Sequence, residues 1–174
     1  MSSPDPISLV YDAIWAIAES SSRLTALVRL KNRIKYNSVS SADPHKYEIS
    51  AADLPELALV INSLSANIGQ TSSSSHVKLQ LDWWISTGDP RVTKSLGPIM
   101  WAVLCAMTPW VNTAVTLTWK GKTFVKNVGL LDANLGFTDA EKNRGIDGWS
   151  AVWGCEVSMN FATADLEINA NEAP

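Results

Sequence analysis

Two short motifs in this sequence begin like binding sites for a phosphate group or a metal ion, and neither is complete. Gly121-Lys122-Thr123 resembles the end of a phosphate-binding loop, but Thr116 stands where the upstream glycine is needed, and the context reads as a hairpin. Asp132-Ala133-Asn134 begins like a calcium loop, but its glycine is Gly136 instead of the sixth residue. The twelfth position, which needs a bidentate Glu, holds Asn143. Neither motif therefore predicts a site.

Other signatures of catalysis are also missing from the sequence, which contains no GxSxG, HExxH, GxGxxG or CxxC pattern. His45 and His76 lie in polar segments without a partner at helical spacing. We therefore expect no enzyme, no catalytic residue, no cofactor and no metal ion. Cys105 and Cys155 lie far apart in apolar surroundings, so two buried free thiols are favoured over a disulfide.

Length and composition are those of one globular domain, which we expect to span residues 1–174 with flexible ends at 1–5 and about 166–174. The N-terminal segment lacks the features of a signal peptide, and no apolar run is long enough to cross a membrane. A net charge of -3 and a pI near 5.3 argue against tight nucleic-acid binding, although a mildly acidic surface would let DNA slide past. Eight tryptophans are a surplus that suits a core, an interface or both.

Hydrophobic periodicity divides the chain into two helices and several strands. Helical spacing predicts one helix from Ile7 to about Lys31 and another from Leu96 to about Thr108. Alternation and turn residues further predict a short strand at 54–61, a strand at 76–86, a hairpin turning at 120–122 and a long strand at 149–161. This order predicts an α+β fold, an antiparallel four- to five-stranded sheet with two helices packed on one face.

The strand "HVKLQLDWWIS" (76–86) places a tryptophan on its polar face. Its apolar residues alternate as Val77, Leu79, Leu81, Trp83 and Ile85. Because successive side chains of a strand point to opposite faces, Trp84 joins the polar residues Lys78, Gln80 and Asp82 on the other side. Trp84 is therefore surplus to the core and is the leading candidate for a contact with another protein, with those three residues around it. The alternative is that a loop or terminus of its own chain covers it.

Two irregular segments are further candidates for contacts. A Ser- and Asp-rich loop occupies 36–52, and an excursion of mixed charge runs from 129 to 148 before the last strand. We expect the charged residues of the excursion to contact a partner. These are Asp139, Glu141, Lys142 and Arg144.

Several segments taken in order resemble tail terminator proteins of long-tailed bacteriophages. They are an N-terminal helix, "NRIKYN", "DPHKYEISAADLPEL", a Ser-rich turn into "LQLDWWISTGDPR", a helix beginning "LGPIMWAVLCAM", and "LTWKGKTFV". The resemblance covers roughly residues 5–165, and its most characteristic pieces are "DLPEL" and "WISTGD". None of these pieces is a catalytic signature.

The resemblance implies a structural virion protein that assembles into a ring, usually of six subunits. Such a ring caps the tail tube, stops its polymerisation and joins the tail to the neck and head, and DNA passes through its hole. The implied partners are other copies of the chain, the tail tube protein and a neck or connector protein. Whether a tail sheath also binds is left open. The implied location is the tail or neck of the virion, assembled in the host cytoplasm.

Other readings remain open at this point. A head-completion protein, another neck protein or a minor tail protein belongs to the same structural class. A small-ligand-binding α+β module with a tryptophan-lined cavity belongs to a different class, and a hydrolase is the third alternative.

Overall fold

The computed structural model describes residues 5–29, 32–35, 54–70, 73–112, 116–138 and 148–170. In chain order, the elements are α1 (Pro6–Ser20), α2 (Ser22–Leu27), β1 (Arg33–Lys35), β2 (Glu56–Asn67), β3 (Ser74–Ser86), α3 (Leu96–Asn112), β4 (Thr118–Trp119), β5 (Lys122–Thr123), β6 (Val125–Thr138), β7 (Gly148–Ala162) and α4 (Thr163–Ala170). The loop expected at 36–52 lies outside the described residues. The end expected to be flexible, about 166–174, begins inside α4, and residues 171–174 are not described.

A five-stranded sheet forms the centre of the fold, with the strands in the order β1-β2-β3-β7-β6. The pairs β2–β3, β3–β7 and β7–β6 are antiparallel, whereas the short β1 runs parallel to β2. Strands β4 and β5 form a separate two-stranded hairpin. This arrangement confirms the predicted α+β class with its antiparallel sheet, although the described residues form four helices instead of two.

Helix α1 covers the sheet at β2 and β3. Asp5 caps its N-terminus by accepting a 2.9 Å hydrogen bond from the Ser8 amide, as favoured N-cap residues do. Further along, the Tyr11 hydroxyl donates a buried 2.6 Å hydrogen bond to the Leu59 carbonyl. Trp15 stacks on Trp83 of β3, with ring centroids 6.2 Å apart. These contacts fix α1 over one end of β2.

The sequence prediction of one continuous first helix to about Lys31 is wrong. Helix α1 ends at Ser20, and Ser21 adopts an extended conformation with φ -74° and ψ 107°. The Ser21 hydroxyl then accepts a hydrogen bond from the Leu24 amide at 3.3 Å and caps α2. Because one serine closes the first helix and caps the next, the apolar stripe continues across a break that its periodicity does not reveal.

Helix α3 is longer than predicted and continues through Pro109 to Asn112. Pro109 has no backbone N–H to donate to the preceding turn. In that turn, the Thr108 hydroxyl donates a 2.7 Å hydrogen bond to the Leu104 carbonyl. The proline therefore lies inside the last turns of the helix and does not terminate it.

Strands β2 and β6 also exceed their predicted lengths. The strand expected at 54–61 extends to Asn67. Strand β6 occupies the first half of the expected excursion, with register shifts between Val125 and Asn127 and between Leu130 and Ala133. Such irregularities mask the alternation of a strand, because an extra residue reverses the facing of those that follow. The charged second half of the excursion, 139–147, lies outside the described residues.

Glycine is required where β7 begins, because the chain passes close to another backbone segment there. A Cβ atom at Gly148 would lie 1.7 Å from the Thr87 carbonyl oxygen. Next to it, Thr87 N–H donates to the Trp149 carbonyl at 2.9 Å, and Trp149 N–H donates to the Thr87 hydroxyl at 3.2 Å. These bonds join the end of β3 to the start of β7.

Candidate interaction surface on the sheet

Helices α1, α2 and α3 contribute to one core with the inward face of the sheet, which we call the helix-covered face. The opposite side, the open face, carries the polar residues of β3 and β7. Trp84 lies on this open face and is 45% exposed, whereas its neighbour Trp83 is 1% exposed in the core. The alternation therefore placed both rings correctly.

Trp84 is the centre of a short apolar row across the open face. It lies opposite Ala58 on β2 and opposite Val152 on β7. Ala58 is fully buried and Val152 is half-buried. Directly opposed residues of neighbouring strands are in side-chain contact, so the indole extends a small apolar surface. The structure thus supplies two neighbours that the sequence did not reveal, because strand pairing cannot be read from the alternation of one strand.

The other predicted site residues on β3 have partners within the chain. Lys78 Nζ lies 3.1 Å from Glu156 Oε1, and both side chains are exposed to solvent. An exposed pair of this kind contributes only about 0–1 kcal/mol to stability, so it remains available to another protein. Gln80 is half-buried, and its amide donates to Asp82 at 3.4 Å.

Asp82 lies on the predicted face, but it is only 5% exposed and so does not form part of a wet surface. Asn62 Nδ2 donates a 2.7 Å hydrogen bond to one Asp82 carboxylate oxygen, and Gln80 donates to the other. A buried carboxylate is tolerated only when it is hydrogen-bonded, and these two bonds meet that need. Asp82 therefore stabilises the sheet of its own chain. The register shift of β2 between Ile61 and Ser63 includes Asn62, a partner that no local sequence pattern indicated.

The four charged candidates of the excursion, Asp139, Glu141, Lys142 and Arg144, lie outside the described residues. The two incomplete motifs lie on ordinary surface elements. Lys122 forms an ion pair with Asp165 of α4 at 2.8 Å, and Asp132 is exposed on β6. Among the described residues, no group of three or more His, Cys, Asp and Glu side chains is placed to hold a metal ion.

The two thiols are free, as favoured, but they differ in exposure. Cys155 is buried, and burial together with the nearby Asp82 carboxylate raises the pKa of its thiol to about 12. The expectation of burial is wrong for Cys105, which is exposed on α3 with Arg23 Nη1 3.4 Å from its sulfur. Cys105 lies on the solvent side of the amphipathic helix α3. Because its neighbours in the sequence are apolar, the sequence did not indicate this exposure.

A cavity of about 340 Å³ lies between α2, α3 and the segment after β3. Its described lining residues combine aliphatic, hydroxyl and charged side chains, and none of them is a tryptophan. They are Leu27, Leu54, Pro55, Thr87, Gly88, Asp89, Lys94, Ser95 and Ile99.

Large exposed apolar side chains also occur on the far part of β2 and on β6. Ile61 and Leu64 of β2 are 44% and 51% exposed, Ile68 follows at 60%, and Leu135 of β6 is 51% exposed. Strands β2 and β6 lie near or at opposite margins of the sheet. Local pattern did not reveal these positions, because Leu64 and Ile68 lie beyond the strand predicted at 54–61 and Leu135 lies in the predicted excursion.

The described fold is thus an α+β domain with an exposed tryptophan on one sheet face and apolar residues at both sheet margins. No known protein family and no curated protein matches the chain in sequence. Within the described ranges, no helix has the length and apolar character needed to span a membrane.

Proposed function

We propose that this chain is a structural protein of a bacteriophage tail, of the tail terminator kind, which assembles into a ring. The ring caps the tail tube, stops its polymerisation and connects the tail to the neck below the head. The proposal rests on the ordered resemblance of segments from "DLPEL" to "LTWKGKTFV". Its partners are other copies of the chain, the tail tube protein and a neck protein, and its place is the virion.

The observation that carries the proposal is the exposed Trp84 on the open face. An indole ring that contributes little to its own core offers a large, stiff contact area, and tryptophan is enriched among the residues that dominate binding energy at interfaces. The Lys78–Glu156 pair lies four to six residues along β3 from Trp84 on the same face and supplies charges of both signs. An apolar centre with a polar surround is the usual anatomy of a protein-binding surface.

Binding of the chain to tail tubes tests the proposal, with a matched pair of tryptophan variants. Tubes assembled from the major tail protein of the same phage are mixed with the wild-type chain, Trp84→Ala or Trp101→Ala. Trp101 is the control because it is also exposed, at 60%, but lies on α3. Electron microscopy scores rings at tube ends, and light scattering measures the mass of the free chain.

We expect the wild-type chain and Trp101→Ala to form rings at tube ends, and Trp84→Ala to lose them while keeping its thermal unfolding midpoint. A wild-type chain that neither forms rings nor binds tubes would contradict the proposal. If both tryptophan variants lose rings to the same extent, Trp84 has no particular role in the contact. The proposal that the wild-type chain forms a ring would be unaffected.

A further inference from the structure

We propose that the far part of β2 pairs with the outer edge of β6 of a neighbouring copy, so that the sheet continues from one subunit into the next. The occupant of this docking surface is therefore a second copy of the chain. The inference rests on the proposed ring, since it names the contact by which the ring closes. It involves the strand margins, whereas the preceding proposal concerns the open face.

The first observation is that, among the described residues, much of β2 has a free edge. Strand β1 pairs with β2 only from Leu57 to Leu59. Beyond that point, the part of β2 at residues 61–67, which we call the open half, has β3 on one side and no described strand on the other. All of its residues are exposed. Such an edge presents backbone N–H and C=O groups that are ready to pair with another strand.

The second observation is that this edge lacks the features that keep sheet edges apart. The open half reads "INSLSAN", without a charged residue and without proline. Natural edge strands are usually protected by charges, proline or very short length. The far part of β6, at 133–138, reads "ANLGFT" and lacks the same features. Strand β6 is the last strand in the sheet order, so its outer edge also has no described partner.

The third observation is that the exposed apolar residues of the two margins point to the same side of the sheet. Ile61 pairs with Leu81 and Leu64 with Leu79, and both of these β3 residues are buried on the helix-covered face. Leu135 pairs with Ala151, which is buried on that face too. If the two margins meet in one continuous sheet, these side chains become cross-strand neighbours.

The strand directions fit such a contact. Because β2–β3, β3–β7 and β7–β6 are each antiparallel, β2 and β6 run in opposite directions. A head-to-tail repeat of the subunit then makes the new β6–β2 pair antiparallel. The pairing therefore extends the pattern of the central strands and repeats one contact around the ring, in which the open half of β2 and the far part of β6 both gain a partner.

The positions of the two segments along the strand direction also fit the proposed pairing. Leu135 lies in the row of Ile85, whereas Leu64 lies in the row of Leu79, six positions away along β3. Matching Leu135 to Leu64 shifts each copy by about 20 Å along the strands, at about 3.3 Å per residue. Four strands at about 4.8 Å spacing are about 19 Å wide, so the strands tilt by about 45° from the ring axis.

Matching Leu135 to Ile61 instead would bring Phe137 opposite Leu59 and Thr138 opposite Ala58, where β1 already pairs with β2, so this register does not fit. Closed sheets tilt their strands by about 35–45°. The register that matches Leu135 to Leu64 therefore stays within the open half and has about the tilt that a closed sheet requires.

Disulfide cross-linking between separately prepared variants tests the pairing. All variants carry Cys105→Ser, because Cys105 is the exposed native thiol. Chains with Leu64→Cys or Ile61→Cys are mixed with chains carrying Leu135→Cys, assembled on tail tubes and oxidised. The matched control partner is Trp101→Cys, which is exposed but lies on α3. We expect a mixed disulfide between Leu64→Cys and Leu135→Cys, and none when Ile61→Cys replaces Leu64→Cys or when Trp101→Cys replaces Leu135→Cys.

The outcomes separate this inference from the proposed function. Rings at tube ends without a mixed disulfide between Leu64→Cys and Leu135→Cys overturn the strand pairing and leave the ring standing. Leu64→Cys chains that cross-link only to each other also overturn it, since they indicate a two-fold β2–β2 contact. Failure of the wild-type chain to form rings overturns both.

Discussion

The two halves of β2 belong to one strand and have opposite environments. The covered half, Glu56–Leu59, is buried throughout, whereas the open half at 61–67 is exposed throughout. Both contain aliphatic residues that point to the helix-covered face. The covered half has β1 beside it and accepts the Tyr11 hydrogen bond from α1, and the open half has neither neighbour among the described residues.

This difference shows that alternation decides which way a side chain points, while neighbouring elements decide whether it is buried. Leu59 and Leu64 are the same residue type on the same strand, yet they are 0% and 51% exposed. Burial of a leucine side chain is worth about 1.5–3 kcal/mol. In the open half, that free energy is not used by the isolated chain and is available to a partner.

The largest expected contrast is in thiol reactivity within a single row of the sheet. Ile61, Leu81 and Cys155 lie side by side on β2, β3 and β7. In a Cys105→Ser background, Ile61→Cys should react with N-ethylmaleimide at the rate of an exposed thiol. Cys155 should react only when the domain opens, because it is 0% exposed and its thiol pKa is raised to about 12.

With a global stability of about 5–15 kcal/mol, the two rates should differ by at least about a thousandfold. Mass spectrometry of the labelled peptides measures both rates in one sample. Urea above the unfolding midpoint is the control, since it should remove the difference. Similar rates for the two thiols in native conditions would show that the row is not covered as the structure has it.

The second contrast compares one substitution in the two halves. Leu59→Ala should lower the free energy of unfolding by about 2–5 kcal/mol, because it removes fully buried methyl groups from the core. Leu64→Ala should change it by no more than about 0.5 kcal/mol in the monomer. Urea unfolding at low protein concentration measures both values.

Protein concentration sharpens this comparison further. If the open half is covered in an assembly, Leu64→Ala becomes destabilising as concentration rises, since a contact between copies adds to stability by mass action. Leu59→Ala should show the same cost in the monomer at every concentration. A Leu64→Ala cost as large as that of Leu59→Ala in the dilute monomer would contradict the assigned exposure.

The parts of the fold that follow from local physics could be predicted from the sequence. The α+β class, β3 with its two faces, β7 and the exposure of Trp84 all depend on alternation that no bulge interrupts. The length of β6 could not be predicted, because its register shifts break the alternation. The helix break was hidden because Ser21 interrupts the chain without interrupting the apolar stripe.

The candidate surface was predictable only in part, for a related reason. Trp84 could be placed because its position depends on one strand. Asp82 can be buried because Asn62 of the neighbouring strand binds it, and among the described residues the edge of β2 is free because β1 pairs only with Leu57–Leu59. Both are consequences of pairing between distant segments, which local patterns do not encode.

The smallest expected effect lies at the covered end of the sheet, in the turn between β3 and α3. The Arg91 side chain and amide hydrogen-bond to Asp89 and lower the pKa of that carboxyl from 3.8 to about 2. A carboxyl whose pKa is lower in the folded chain stabilises the fold above its unfolded pKa of about 3.9. That contribution is lost as the pH falls toward 2.

A carbon-detected NMR titration should therefore give Asp89 a midpoint near 2. Arg91→Gln should return the midpoint toward the ordinary value, because it removes the guanidinium while leaving the backbone amide in place. The change in stability should be slight, since the pair is exposed and screened by solvent. An Asp89 midpoint near the ordinary value in the wild-type chain would mean that the turn does not hold the pair. The covered end would then be held by other bonds, among them those between Thr87 and Trp149 and the bond from the Trp149 indole N–H to the Pro90 carbonyl.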